Sequence, residues 1–204
     1  MSYLVTTLSE LEALYDEVGE ASRVKETDRI VPVYRALIEA SPFALLATRG
    51  EGGLDCSPRG DGPGFVRIVD EKTLLLPDRR GNNRIDSLRN VVHDPHVALL
   101  FLIPGIGETL RVNGCATISI DPDLLENFAV EGKAPRTVLT IAVDTVFFQC
   151  SRAVVRADLW NPDKRVARSS LPSAGQILAA LSEGRTGGET YDKALPERVK
   201  ASLY

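Results

Sequence analysis

The sequence is poor in the residues that most often carry catalysis and metal binding. Its 204 residues include two histidines, three cysteines, one tryptophan and one methionine. Cys56, Cys115 and Cys150 share no CxxC spacing and lie in apolar or strand-like runs, which argues against a disulfide framework. His93 and His96 bracket a helix end and the next strand start, with no second His or Cys at ligand spacing, so no metal site is expected. The GxSxG, HExxH, GxGxxG and Walker A patterns are absent as well. Positive charge is not in excess: 24 basic against 28 acidic residues give a net charge of −4, which speaks against nonspecific nucleic-acid binding. No stretch approaches the roughly 18 apolar residues of a membrane span. The opening MSYLVTTLSELEALYDEVGEAS has neither a basic start nor a continuous apolar run. The expectation is a cytoplasmic protein with neither nucleic acid nor membrane as partner.

What is present suffices for one substantial core, since 44% of the residues are hydrophobic and 25% charged. Thr7 and Glu10 form a capping-box pattern, and Leu8, Leu11, Leu14, Tyr15 and Val18 follow at helical spacing. A second helix is predicted from about Val33 to Glu39, closed by Ser41 and Pro42. The period then changes. Residues 43–48, 54–59, 64–69, 73–76, 96–103, 109–119 and 137–149 read as strands, joined mostly by short turns such as GEGG, DGPG and VDEK. Seven candidate strands in this arrangement predict an antiparallel barrel or sandwich. Helices are expected after Asn83, over 122–131, over 176–181 and over 191–203. The domain reading is N-terminal helices packed on a barrel over 1–40, the barrel itself over 41–160, and a helical extension over 161–204.

The most informative stretch is Leu74 to Pro95, LLLPDRRGNNRIDSLRNVVHDP. A strand runs into a turn of Pro, Gly, two Asn and two Arg, and apolar residues then recur at helical spacing, with Asn82 or Asn83 as the natural N-cap. A helix start offers unpaired N–H groups and a positive dipole end, and Arg79, Arg80 and Arg84 add guanidinium forks suited to phosphate. The same residues would also make a solvated basic turn with an ordinary cap, and Asp86 in the first turn already complements the dipole. Two further polar clusters interrupt apolar strands: Ser57-Pro58-Arg59-Gly60-Asp61 and Glu108-Thr109-Leu110-Arg111-Val112-Asn113-Gly114. Taken singly, Pro58 could close a strand and Arg111 could be an alternating outward residue. Together with Pro77-Asp78-Arg79 they would line one side of a barrel around a flat heterocycle with a phosphate tail.

In their order, SPFALLAT, CSPRGDGPGFVRI, TLLLPDRRGNNRIDSLRN, DPHVALLFLIPG, ETLRVNG and QCSRAVVRADLW resemble the pyridoxamine 5′-phosphate oxidase-like family of flavin-binding split barrels, in its uncharacterised bacterial branch. The resemblance covers about Ser41 to Trp160. It implies an α+β, mainly β fold, a six-stranded antiparallel split barrel with flanking helices. It also implies a homodimer with flavin mononucleotide (FMN) at the interface. Carried over by position, the cofactor-contacting residues would be Ser57, Pro58 and Arg59 on one strand, Pro77 and Asp78 at the end of another, and Asn83 and Arg84 at the phosphate. Thr109, Arg111 and Trp160 would complete the site, and Arg79, Arg80 and Asn82 belong to the same turn. The substrate-phosphate groups of the authentic oxidases have no counterpart, because the corresponding helix reads PDLLENFAVEGKAPR and the sequence closes on KASLY. The expected function is therefore an FMN-dependent oxidoreductase acting on a small molecule other than pyridoxamine phosphate, with no catalytic residue assigned. The alternatives are a non-catalytic flavin or haem carrier or sensor, and a deazaflavin-dependent reductase.

Overall fold

The structure is a computed structural model and describes residues 3–204. Two short helices, α1 (Leu8–Glu12) and α2 (Glu20–Arg23), precede α3 (Pro32–Ala40). The Thr7–Glu10 capping box forms as expected, yet α1 stops at Glu12, leaving Leu14, Tyr15 and Val18 outside it and exposed. α3 begins at Pro32, where the missing N–H costs no helical bond, and turns Tyr34 and Ile38 into the core.

The strands are β1 (Phe43–Gly50), β2 (Gly53–Gly60), β3 (Arg67–Asp70), β4 (Thr73–Pro77), β5 (His96–Leu102), β6 (Thr109–Ser119) and β7 (Val138–Gln149). They form one antiparallel sheet in the order β2-β1-β5-β6-β7-β4-β3. The sheet has seven strands where the resemblance implied six, and it is not closed by backbone pairing: β2 and β3 are its edges. β3 begins at Arg67 rather than Gly64, because Gly62 to Phe65 form a turn with Gly64 at φ 78° and Phe65 and Val66 dive into the core. Strand alternation sets the interior: Ala44, Leu46 and Thr48 of β1, Val97, Leu99 and Phe101 of β5, and Leu110 and Val112 of β6 are all buried. At the β6–β7 bulge a side chain on Gly114 would meet the Ala142 carbonyl at 2.1 Å, so only glycine fits there.

α4 (Asp86–His93) lies against β1 and positions the site described below. Gly50 admits it closely, since a Cβ there would stand 2.0 Å from Asn90 Oδ1. The Asn90 amide donates to Thr48 Oγ1 at 3.0 Å. α5 (Pro122–Asn127) is capped by Asp121 and ends before the expected Glu131, because Glu131 and Gly132 turn the chain with φ 51° and 72°. A short α6 (Arg152–Arg156), not anticipated from the sequence, follows β7, and α7 (Ala174–Leu181) and α8 (Gly188–Ala201) pack together as a hairpin. Among the described residues, no helix is long and apolar enough to cross a membrane.

Candidate functional site

The edge strand β2 sends alternate side chains toward one cleft. Asp55, Ser57 and Arg59 are half-buried while Leu54, Cys56 and Pro58 between them are exposed, so the odd positions carry the polar chemistry. Pro58 is tolerated because β2 has no partner on its outer side. Each odd residue is tied by its side chain to the first turn of α4 or to the segment that leads into it. Ser87 Oγ donates to Asp55 Oδ2 at 3.0 Å and lies 2.9 Å from Ser57 Oγ. Because an ionised carboxylate only accepts, the Ser87 proton is spent on Asp55, and Ser57 donates to Ser87. Arg59 Nη1 donates to Asp78 Oδ1 at 2.9 Å, with both side chains 20% exposed. One step further, Arg79 Nε donates to Asp61 Oδ2 at 2.7 Å and its Nη1 to the Phe128 carbonyl at 2.6 Å. Side chains thus tie the edge strand β2 and the residue after it to α4 and to the chain leaving β4, with which β2 does not pair.

The β4–α4 segment is strained. Asn83 and Ile85 both adopt left-handed backbone angles, φ 60° and 54°. For a β-branched residue that conformation is a genuine outlier, costing about 1–2 kcal/mol. It also corrects the expected cap: the N-cap of α4 is Ile85, with no side-chain hydrogen bond, and neither Asn82 nor Asn83 takes the role. Asn82 instead accepts from the Arg84 N–H at 3.0 Å, a local turn that competes with helix initiation. The first-turn N–H groups of α4 consequently remain without a side-chain acceptor beside the cleft.

Asp55, Ser57, Pro58, Arg59 and the turn from Asp78 through Leu88 line a cavity of about 910 Å³, together with Lys133, Ala134, Pro135, Arg136, Thr137 and Tyr204. That volume suits a nucleotide-sized ligand. Six cations and three carboxylates line it, against a chain that is acidic overall. Arg59 and Arg79 are engaged as above, and Arg84 Nε is held by Asp86 at 2.7 Å. Arg80, Lys133 and Arg136 form no ion pair among the described residues. Two buried polar atoms in the lining have no partner there either, Arg59 Nε and Thr137 Oγ1. Orphaned groups of this kind at a cleft call for a ligand or water, since leaving them unmet costs roughly 1–3 kcal/mol each.

Of the positions expected from the sequence, Ser57, Pro58, Arg59, Asp78, Arg79, Arg80, Asn82, Asn83 and Arg84 come together here. Pro77 is buried beside them as the last residue of β4. Thr109, Arg111 and Trp160 do not join them within one chain. Pro77 pairs with Val138 of β7, whereas Arg111 pairs with Phe147 and Thr109 with Gln149 of the same strand. Nine residues of extended chain separate Val138 from Phe147, roughly 30 Å. Arg111 stacks on the Phe147 ring at 4.1 Å, with a buried Nε lacking a partner, and Trp160 donates to the Ile106 carbonyl at 2.7 Å. Sequence reading missed Asp55, Ser87, Lys133, Arg136, Thr137 and Tyr204. The period-two alternation of β2 could have flagged Asp55, and the basic character of EGKAPRT could have flagged Lys133; nothing local marks Tyr204. All three cysteines are free, and no cluster of three metal-ligating groups occurs among the described residues.

Residues 30–150 match the family model for pyridoxamine 5′-phosphate oxidase, which is more than half of the chain. The chain belongs to the pyridoxamine 5′-phosphate oxidase-like family. The matched span contains β1 to β7 and all the cleft-lining residues except Tyr204. Among solved structures the family chain is similar to HupZ of Group A Streptococcus, at 20% identity over 60% of this chain and 95% of that one with a TM-score of 0.49. It is also similar to general stress protein 26 of Bacillus anthracis, at 16% identity over 56% and 88% with a TM-score of 0.43. A third similar structure is an FAD-binding protein of Mesorhizobium loti, at 16% identity over 60% and 96% with a TM-score of 0.41. A search of the curated proteins gives no match.

Proposed function

We propose that this chain binds FMN in the cleft between β2 and α4 and acts as a flavin-dependent oxidoreductase on a small molecule, as a homodimer. The observation that carries the reading is the convergence of three unpaired cations, Arg80, Lys133 and Arg136, and two orphaned polar atoms on one nucleotide-sized cavity. The residues fit the group. Arg80, Lys133 and Arg136 would take the phosphate, with charge-assisted bonds that require no rearranged ion pair. Arg84, the position expected for that role, is occupied by Asp86 and serves better as a second line of charge. Arg59, fixed by Asp78, keeps Nε free for an acceptor on the ring system, and Thr137 Oγ1 offers a hydroxyl close by.

A bound flavin supplies one- and two-electron transfer, and the protein's share is orientation and electrostatics. Arg59 places positive charge where it favours extra electron density on a ligand. No His or Cys lines the cleft, so proton movement would fall to Ser57, Ser87 and solvent. Thr109 and Arg111, about 30 Å from the cleft along β7, would meet such a cleft from a second copy of the chain, and Trp160 would come with them. The homodimer is therefore part of the reading. The missing substrate-phosphate groups point away from pyridoxamine phosphate as substrate.

An absorption spectrum of the freshly purified protein, followed by anaerobic mixing with NADH or NADPH, tests the assignment. Flavin bands that bleach on reduction and return with oxygen or a quinone are the expected result. A flavin that neither nicotinamide reduces would favour the carrier or sensor, and a haem band without flavin would overturn the reading.

A further inference from the structure

The cleft is almost devoid of aromatic surface. Tyr204 is the only aromatic residue in its lining, and it arrives from the far end of the chain. Its phenol donates to Asp61 Oδ1 at 2.7 Å, while the other oxygen of the same carboxylate takes Arg79 Nε at 2.7 Å and Oδ1 also accepts from the Gly62 N–H at 2.8 Å. The Tyr204 ring stands 5.5 Å from the Arg79 guanidinium carbon. The Asp61 side chain is 9% exposed, so the anchor is a largely buried carboxylate met by donors from Tyr204, Arg79 and its neighbour Gly62. Burial alone would raise the Asp61 carboxyl, but the bonds from Tyr204, Gly62 and Arg79 outweigh it and hold the group below the ordinary carboxylate range. The same bond keeps the phenol protonated to higher pH than usual.

The helices leading to this anchor are not woven into the sheet. α8 packs chiefly on α7, where Asp192 accepts from Ser173 Oγ and the Gly175 N–H. Leu203, between α8 and the anchor, is exposed. The hairpin thus packs mainly on itself and carries one aromatic side chain to the border of a ligand-sized cavity.

We propose that Tyr204 is a tethered aromatic wall of the cleft: latched by Asp61, its ring covers the planar part of the bound ligand, and unlatching opens the cleft for exchange. This role rests on the flavin reading for the identity of the planar ligand, while the latch itself does not depend on it. Tyr204 is a positioning residue, since no reacting atom is assigned to it. A purely structural clasp would have no reason to border the cavity.

The test uses this 204-residue chain labelled with fluorotyrosine, which carries five tyrosines to be read by fluorine NMR. The signal absent from Tyr204→Phe is that of Tyr204. Without ligand it should lie away from the free-tyrosine position and move to that position in Asp61→Asn, with the other signals unchanged. A Tyr204 signal already at the free position in the wild type would overturn the latch. On adding FMN the Tyr204 signal should shift, and stopped-flow release of FMN should be about tenfold faster from Tyr204→Ala than from the wild type, with Tyr204→Phe between them. FMN that binds without moving the signal would overturn the wall and leave the flavin reading standing. FMN that does not bind would overturn the flavin reading and the stacking role together, with the latch decided separately by Asp61→Asn.

Discussion

Arg136 and Asp61 show how charge chemistry serves two purposes in one fold. Arg136 donates to the Asn83 side-chain oxygen at 3.4 Å and forms no ion pair among the described residues. Arg136→Ala should weaken FMN binding tenfold or more, equivalent to about 1.4 kcal/mol, and leave riboflavin binding unchanged. Arg89→Ala, on α4 but outside the cleft lining, is the control and should change neither. Isothermal titration of both variants with both ligands measures this. Asp61 instead stabilises the fold. Its folded-state pKa lies below the ordinary 3.8, so the ionised form contributes stability that is fully present above pH 3.8 and is lost as the pH falls through the lower folded value. Urea unfolding should therefore find the wild type more stable than Asp61→Asn above about pH 4, with the gap narrowing at lower pH. A constant gap from pH 7 down to pH 2 would contradict the assignment.

The element that makes the cleft is the β4–α4 segment, and its geometry is where sequence reading succeeded and failed most instructively. Most strands were legible, because Val, Ile and Leu recur on them and short turns separate them, although β3 starts three residues later than expected. The arginine cluster and the helix after it were legible too. The cap was not: Asn82 and Asn83 are good cap residues by type, but the segment must reach from β4 to β1 across the sheet, and it does so by forcing Ile85 into a left-handed conformation that local preference disfavours. Tertiary constraint prevailed over propensity there. The inter-element ties from Asp55, Ser57 and Arg59 were likewise invisible, since they join positions 19 to 32 residues apart. Ile85 is half-exposed, so Ile85→Gly gives up little burial and should stabilise the protein by about 1 kcal/mol through relief of the left-handed backbone. Chemical denaturation would show it, and destabilisation would mean that the strain is absent.

At the scale of the whole molecule, the proposed homodimer would have each chain contribute to two sites. The cleft residues gather near the Val138 end of β7, whereas Thr109 and Arg111 pair with its other end, and on the proposed reading two copies would bring these two groups together. Light scattering should report about twice the 22.2 kDa chain mass. Subunit mixing is a sharper check: Arg59→Ala and Arg111→Ala should each bind FMN poorly, and an equimolar mixture refolded together should recover about a quarter of the wild-type sites, the share expected when half the dimers are mixed and each holds one intact site. No recovery would show that Arg59 and Arg111 do not act across an interface. The most direct test of the central claim, that the cleft was built for a phosphorylated flavin, is a calorimetric titration of the apoprotein with FMN and, separately, with riboflavin. The account predicts one FMN per chain, bound at least tenfold more tightly than riboflavin, a difference of about 1.4 kcal/mol from the phosphate contacts. Equal affinity for the two, or no binding of either, would contradict it.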